Sequence, residues 1–191
     1  HQDIKTHNIL EKNHDFRWID FGISLKKNQI FDLEINGPFL NADYVIHPPE
    51  YRYFSRYYFI SKGVESMETF VNNEWYLLHY VLKENKQRNI DLYQNYYTYD
   101  TFKQACQRLF DTLKQTSKSS LQKLFTQHVT KVDIYSFGLV LLHISPYLQL
   151  EDTPASTLFQ QLIQHMIHPN IFERYNTQQC LKLLKQILKV L

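Results

Sequence analysis

The sequence predicts an α+β fold that is predominantly helical, with one short hairpin near its start. Three observations predict it. Between His1 and Leu25, short apolar runs alternate with polar breaks. From Val64 onward, apolar residues recur at helical spacing. Ile134 to Ile144 is almost continuously apolar, as expected of a helix buried on most sides.

In chain order, Asn8-Ile9-Leu10 and Trp18-Ile19 read as short strands around a turn at Asn13-His14-Asp15. Lys26 to Pro49, with Asn36-Gly37-Pro38 and Pro48-Pro49, reads as an irregular loop. Val64 to Asn85 is predicted helical, with Met67, Phe70, Val71, Leu78, Val81 and Leu82 on one face. A second helix carries Phe102, Ala105, Cys106, Leu109, Phe110 and Leu113. Polar Lys114 to Ser120 predicts a break, and Leu121, Leu124 and Phe125 begin another amphipathic turn. Asp133 is a candidate N-cap for the apolar run, which Pro146 ends. Helices over Pro154 to Ile167 and Thr177 to Val190 follow, separated by His168-Pro169-Asn170.

Composition limits the function. With 191 residues, 43% hydrophobic and 21% charged, the chain suits one folded domain with a sizeable core. A net charge of +2 supplies no strong field for nucleic acid. The aromatic run Tyr51 to Phe59, with Arg52 and Arg56, therefore reads as packing or a protein interface rather than a base-stacking platform. Cys106 and Cys180 form no disulfide or metal pattern, which favours a reducing, cytoplasmic setting. No apolar run approaches the ~20 residues of a membrane span, so no membrane partner is expected. The histidines show no persuasive metal spacing; even His165 and His168 read as packing or surface residues. There is no starting Met, so the native N-terminus is expected upstream.

Phosphoryl transfer needs a carboxylate to accept a hydroxyl proton, a cation for the transferred phosphate and oxygen ligands for Mg²⁺. Asp3, Lys5 and Asn8 bring these groups into one short loop. Asp20, at the end of the Trp18-Ile19 strand, is placed to add a second metal-binding oxygen group.

At these residues the chain resembles the eukaryotic-type protein kinases, of the Ser/Thr kind. His1-Gln2-Asp3-Ile4-Lys5-Thr6-His7-Asn8 is similar to the catalytic loop H-R-D-x-K-x-x-N, and Asp20-Phe21-Gly22 to D-F-G. Pro48-Pro49-Glu50 resembles A-P-E. Lys131 to Gly138 resembles the start of the long central helix of the C-terminal lobe, and Pro169 to Arg174 the motif before its last helix. Five motifs in order carry more weight than any one triplet. The resemblance covers about residues 1–50 and 128–191. It implies a kinase-like C-lobe with a catalytic-loop hairpin, without the N-lobe in this chain. Residues 1–50 would hold the catalytic loop and activation segment, 51–127 a helical insertion, and 128–191 the central and terminal helices.

What the resemblance implies for single residues follows position by position. Asp3 would be the catalytic base and Lys5 would neutralise the γ-phosphate of ATP. Asn8 and Asp20 would bind Mg²⁺ or Mn²⁺, and Leu10 would lie under the adenine. His1 and Phe21 would stack, followed by Gly22 of the same motif. Asp133 would hold the backbone of the catalytic loop. Glu50 and Arg174 would form a buried structural ion pair. The implied reaction transfers the ATP γ-phosphate to a Ser or Thr hydroxyl of a protein substrate.

The departures are also specific. Gln2 replaces the Arg that pairs with a phosphorylated activation loop, and Ile23 to Pro49 offers only Ser24 and Tyr44 as hydroxyl candidates. Activation by phosphorylation in that loop is therefore not expected. Asp43 stands where Ser/Thr kinases carry a Thr near the substrate, and Pro48 replaces Ala. The expanded segment after Pro-Pro-Glu resembles kinases of large DNA viruses, which would place the protein in host cytoplasm or virion. Without an N-lobe, this chain alone is expected to bind ATP poorly. The competing expectation is a pseudokinase or scaffold whose 51–127 insertion recruits a protein partner.

Overall fold

The computed structural model describes residues 1, 4–21, 24, 47–51, 53, 66–84, 93–148, 150 and 153–191. These residues are mostly helical, with one two-stranded antiparallel sheet. No described helix is long and apolar enough to cross a membrane. Most of the 26–49 loop, and most of the aromatic run after Tyr51, lie outside the described residues.

The sheet pairs β1 (Ile9–Lys12) with β2 (Asp15–Trp18), Ile9 opposite Trp18 and Lys12 opposite Asp15. The connection is the two-residue loop Asn13-His14, with φ of 55° and 64°. Two left-handed residues match the twist of the flanking strands. Asp15, expected in the turn, is therefore the first residue of β2. Preceding β1 is a single 3₁₀ turn, Thr6–Asn8.

Helix α1 (Met67–Glu84) starts at Ser66, whose Oγ accepts from the Thr69 amide at 3.2 Å. Helix α2 (Tyr99–Lys114) is capped by Thr98 and α3 (Lys118–His128) by Ser117. The expected break over 114–120 is thus shorter: the Ser117 cap makes residues 118–120 the first turn of α3. Helix α4 (Thr130–Ile144) follows with only Val129 between, itself in right-handed helical conformation. No side chain caps α4, so Asp133 is not its N-cap; it lies in the first turn, its carboxylate available for another bond. A 3₁₀ turn, Ser145–Tyr147, contains Pro146 and ends the run. Helix α5 (Pro154–Met166) has Thr153 as cap and Pro154 at its first position. Helix α6 (Thr177–Val190) opens with a reciprocal capping box between Asn176 and Gln179.

One apolar cluster joins Phe70, Val71 and Leu78 of α1, Phe102, Leu109 and Leu113 of α2, and Leu121 and Phe125 of α3 to Val132, Tyr135 and Leu142 of α4. Ile163, Ile167 and Ile171 complete it. Residues of the 51–127 segment and of 128–191 therefore share a core. A second cluster links Ile134 to Ala155, Leu162 and Met166 of α5 and Cys180 and Ile187 of α6. Gly138 permits the close approach of α4 to the end of α5. A Cβ there would lie 2.7 Å from Ile167 Cγ2 and 2.8 Å from Met166 Cβ.

Candidate functional site

His1 joins parts of the chain that are far apart in sequence. Its backbone nitrogen donates to Asp133 Oδ2 at 2.9 Å, tying the start of the chain to the first turn of α4. Its ring meets Phe21 at a centroid distance of 4.6 Å and Trp18 at 6.0 Å. Trp18 in turn packs edge-on against Phe137 of α4 at 5.7 Å. The Ser24 hydroxyl donates to the His1 carbonyl at 3.1 Å, and the Ser24 amide to the Phe21 carbonyl at 3.0 Å. Phe21 and Ser24, both beyond β2, are thereby held against His1.

Lys5 is extended and half-buried, and its carbonyl accepts from the Asn8 amide at 3.0 Å as the 3₁₀ turn closes. Asn8 is buried, and its carbonyl accepts from the Ile19 amide at 2.9 Å. That bond continues the hairpin pairing one step beyond Ile9 and Trp18, so Asp20 follows directly on the residue bonded to Asn8. Asp20 is exposed and has a φ of 60°. The left-handed region costs a non-glycine residue roughly 1–2 kcal/mol, less for Asp, whose short side chain bonds locally. Such strain at the end of a strand re-aims the side chain, and strained residues gather at functional sites. Asn8 and Asp20 present an amide and a carboxylate, the hard oxygen donors that suit Mg²⁺ when phosphates and water complete its shell.

Leu10, 56% exposed, lies on the hairpin face that also carries Lys12, Asp15 and Arg17. With Asn13, Trp18 and Ile19 these residues line an open groove of about 570 Å³. Arg17 pairs with Asp15 at 2.8 Å along its rim. Ile19 and Trp18 are not among the site residues the sequence predicts. The available signal was their place beside Leu10 once the two-residue loop sets the register.

A second constellation surrounds Arg174, which is fully buried. Nη1 donates to Glu50 Oε1 at 2.5 Å and to the Lys131 carbonyl at 3.0 Å. Nη2 donates to Glu50 Oε2 at 3.1 Å and to the His168 carbonyl at 2.7 Å, and Nε to the same carbonyl at 3.0 Å. All five guanidinium N–H groups are thus engaged, and the Tyr135 ring covers one face at 4.7 Å. Beside it, Lys131 Nζ donates to the Ile171 carbonyl at 2.9 Å. Burial, with the neighbouring Arg174 charge, lowers the Lys131 pKa. Tyr51, next to Glu50, is buried against His47 and Phe125. Burial and then the Asp133 charge push its hydroxyl well above the usual tyrosine range. Its burial beside His47 and Phe125 is not revealed by its place in an aromatic run.

The segment between α5 and α6 also binds α2. Arg108 donates to both oxygens of Glu173, at 2.7 and 2.9 Å, and Asn170 Nδ2 adds a bond at 2.9 Å. The Arg108 bond holds the Glu173 carboxyl below its ordinary range. His168 Nδ1 lies 3.1 Å from the Asn170 amide nitrogen and 3.2 Å from the Asn170 carbonyl, and Nε2 lies 3.4 Å from Glu173 Oε2. Burial pushes the His168 pKa down to about 4. His165 instead stacks flat on Tyr175 at 3.9 Å. Among the described residues, no group of three or more His, Cys, Asp or Glu is arranged to hold a metal.

The structure therefore brings together His1, Phe21 and Asp133, and Glu50 with Arg174; Asn8 is bonded through its carbonyl to Ile19, the residue before Asp20. Leu10 lies in the hairpin groove. Gln2, Asp3, Gly22, Asp43 and Tyr44 lie outside the described residues. Comparison with protein-family models, characterised proteins and solved structures finds no match for this chain.

Proposed function

We propose that the chain is the C-terminal lobe of a protein Ser/Thr kinase, transferring the γ-phosphate of ATP to a protein hydroxyl. The observation that carries the reading is His1. Its backbone is bonded to Asp133 and its ring packs on Phe21, so three motifs separated in sequence meet at one residue. The left-handed Asp20 and the buried Glu50–Arg174 pair add support.

In this reading Asp3 accepts the proton of the attacking hydroxyl and orients it. Lys5 places its charge against the transferred phosphate. Asn8 and Asp20 would hold Mg²⁺, which supplies positive charge to the ATP phosphates when bound. Leu10 and Ile19 offer an apolar floor for the adenine. Asp133 acts through the backbone of His1, fixing the loop that carries Asp3 and Lys5. Pre-set geometry of this kind is the main contribution a protein makes to phosphoryl transfer.

The test is transfer of labelled phosphate from Mg·ATP to a general protein substrate by the full-length protein. Asp3→Ala should lower the rate by at least about 10²-fold, the low end for loss of a general base, with an unchanged melting temperature. Undiminished transfer would reject the assignment. Absence of any Mg·ATP-dependent thermal shift in the parent protein would favour the scaffold reading.

A further inference from the structure

We infer that the outer face of α6 docks an acidic amphipathic helix from a partner protein. One side of α6 is used by the fold, with Cys180 and Ile187 buried against α4 and α5. A second apolar row borders that side and shares only Leu184 with it. Leu181, Leu184, Leu188 and Leu191 recur at spacings of three, four and three, the repeat of a helix–helix seam. Leu181, Leu188 and Leu191 are 51%, 70% and 71% exposed, and Leu184 is half-buried at the edge of the core.

The charges beside the row select the occupant. Lys182, Lys185 and Lys189 are all exposed along its outer flank, and α6 contains no Asp or Glu. A helix laid on the leucines would bring its own flank against these lysines, so leucines bordered by Glu or Asp complete both the apolar and the charged contact. A second copy of the chain would set lysines against lysines. A lipid surface asks for a wide apolar face, whereas this row is narrow because the adjoining apolar residues are already packed in the body.

The probe is a synthetic helix of about three heptads, with Leu at the seam and Glu at the flanks, labelled for fluorescence anisotropy. A control peptide carries Lys in place of Glu. The 191-residue chain should bind the Glu peptide saturably and at least about tenfold more tightly than the Lys peptide. Leu188→Asp should weaken binding at least about tenfold without changing the circular dichroism melt, because the side chain is exposed. Tyr147→Asp, at an exposed apolar residue elsewhere, should bind as the parent does. Reversing the three lysines to Glu should exchange the peptide preference. No binding, equal binding of the two peptides, or indifference to Leu188→Asp would overturn the inference. So would self-association in sedimentation that Leu188→Asp abolishes, or binding to phosphatidylserine vesicles without binding to the peptide.

Discussion

Around Arg174, every N–H of a buried guanidinium meets an oxygen, while on and just beyond the hairpin Leu10, Phe16 and Phe21 remain more than half exposed. Asp133 of α4 lies near both regions, bonded to the His1 nitrogen and acting on Tyr51 beside Glu50. They differ in what their side chains are for. In the helical body, the buried Arg174 guanidinium has every donor bonded, and an incomplete set would be expensive. In and just beyond the hairpin, apolar groups face outward, and the non-glycine residues Asn13, His14 and Asp20 hold positive φ. Neither feature stabilises the chain by itself. Both fit a surface that is completed by something else, here the nucleotide and substrate of the proposed reaction.

The contrast can be broken most severely at Arg174. Arg174→Met leaves Glu50 buried without its partner and should cost about 3–5 kcal/mol in urea unfolding. The double variant Arg174→Met/Glu50→Gln should recover part of that loss. A cost below about 1 kcal/mol would mean that water reaches the pair. Next is Gly138→Val, which drives a side chain into Ile167 and Met166. Overpacking of this kind should cost about 1–3 kcal/mol, read by the same method.

A smaller effect is expected from His168. Its folded pKa of about 4 lies below the ordinary 6.5, so between these values the unfolded chain binds more protons than the folded one. Stability should therefore rise as pH increases from about 4 to 6.5 and be fully present above that window. His168→Asn retains an acceptor for the Asn170 amide and should flatten this part of the profile. An identical slope in both proteins would remove His168 as its source. The smallest effect should come from the hairpin: Phe16→Ser, at a 69% exposed side chain, should stay within about 0.5 kcal/mol of the parent.

Much of the helical body was legible in the sequence because burial leaves a period. The faces of α1 and α2 follow from the recurrence of residues such as Phe70, Val71 and Leu78, or Phe102, Cys106 and Leu109. Boundaries were less legible. Polar Lys114 to Ser120 reads as a break throughout, whereas Ser117 caps α3. Asp133 read as a cap because nothing local shows that Val129 stays helical and that the carboxylate is bonded to His1. In the hairpin, Asn13 and His14 both tolerate positive φ, but no Gly marks the two-residue loop and Asp15 is itself a common turn residue, so the turn reads one residue longer. Among the candidate residues, the partnership of Glu50 with Arg174 is implied only by the order of motifs. The Arg108–Glu173 contact has no such signal, because a charge pair 65 residues apart leaves no local pattern.

The reach of Arg174 has a kinetic consequence. Its partners lie at residues 50, 131 and 168, the farthest 124 positions away. Loop closure on that scale comes after local helices have formed. The guanidinium should thus close its bonds after the rate-limiting barrier and act as a latch on a body already assembled. Arg174→Met would then accelerate unfolding in stopped-flow traces and leave refolding nearly unchanged; slowed refolding would place the latch in the nucleus instead. In the first case the contact governs how long the folded chain persists rather than how readily it forms.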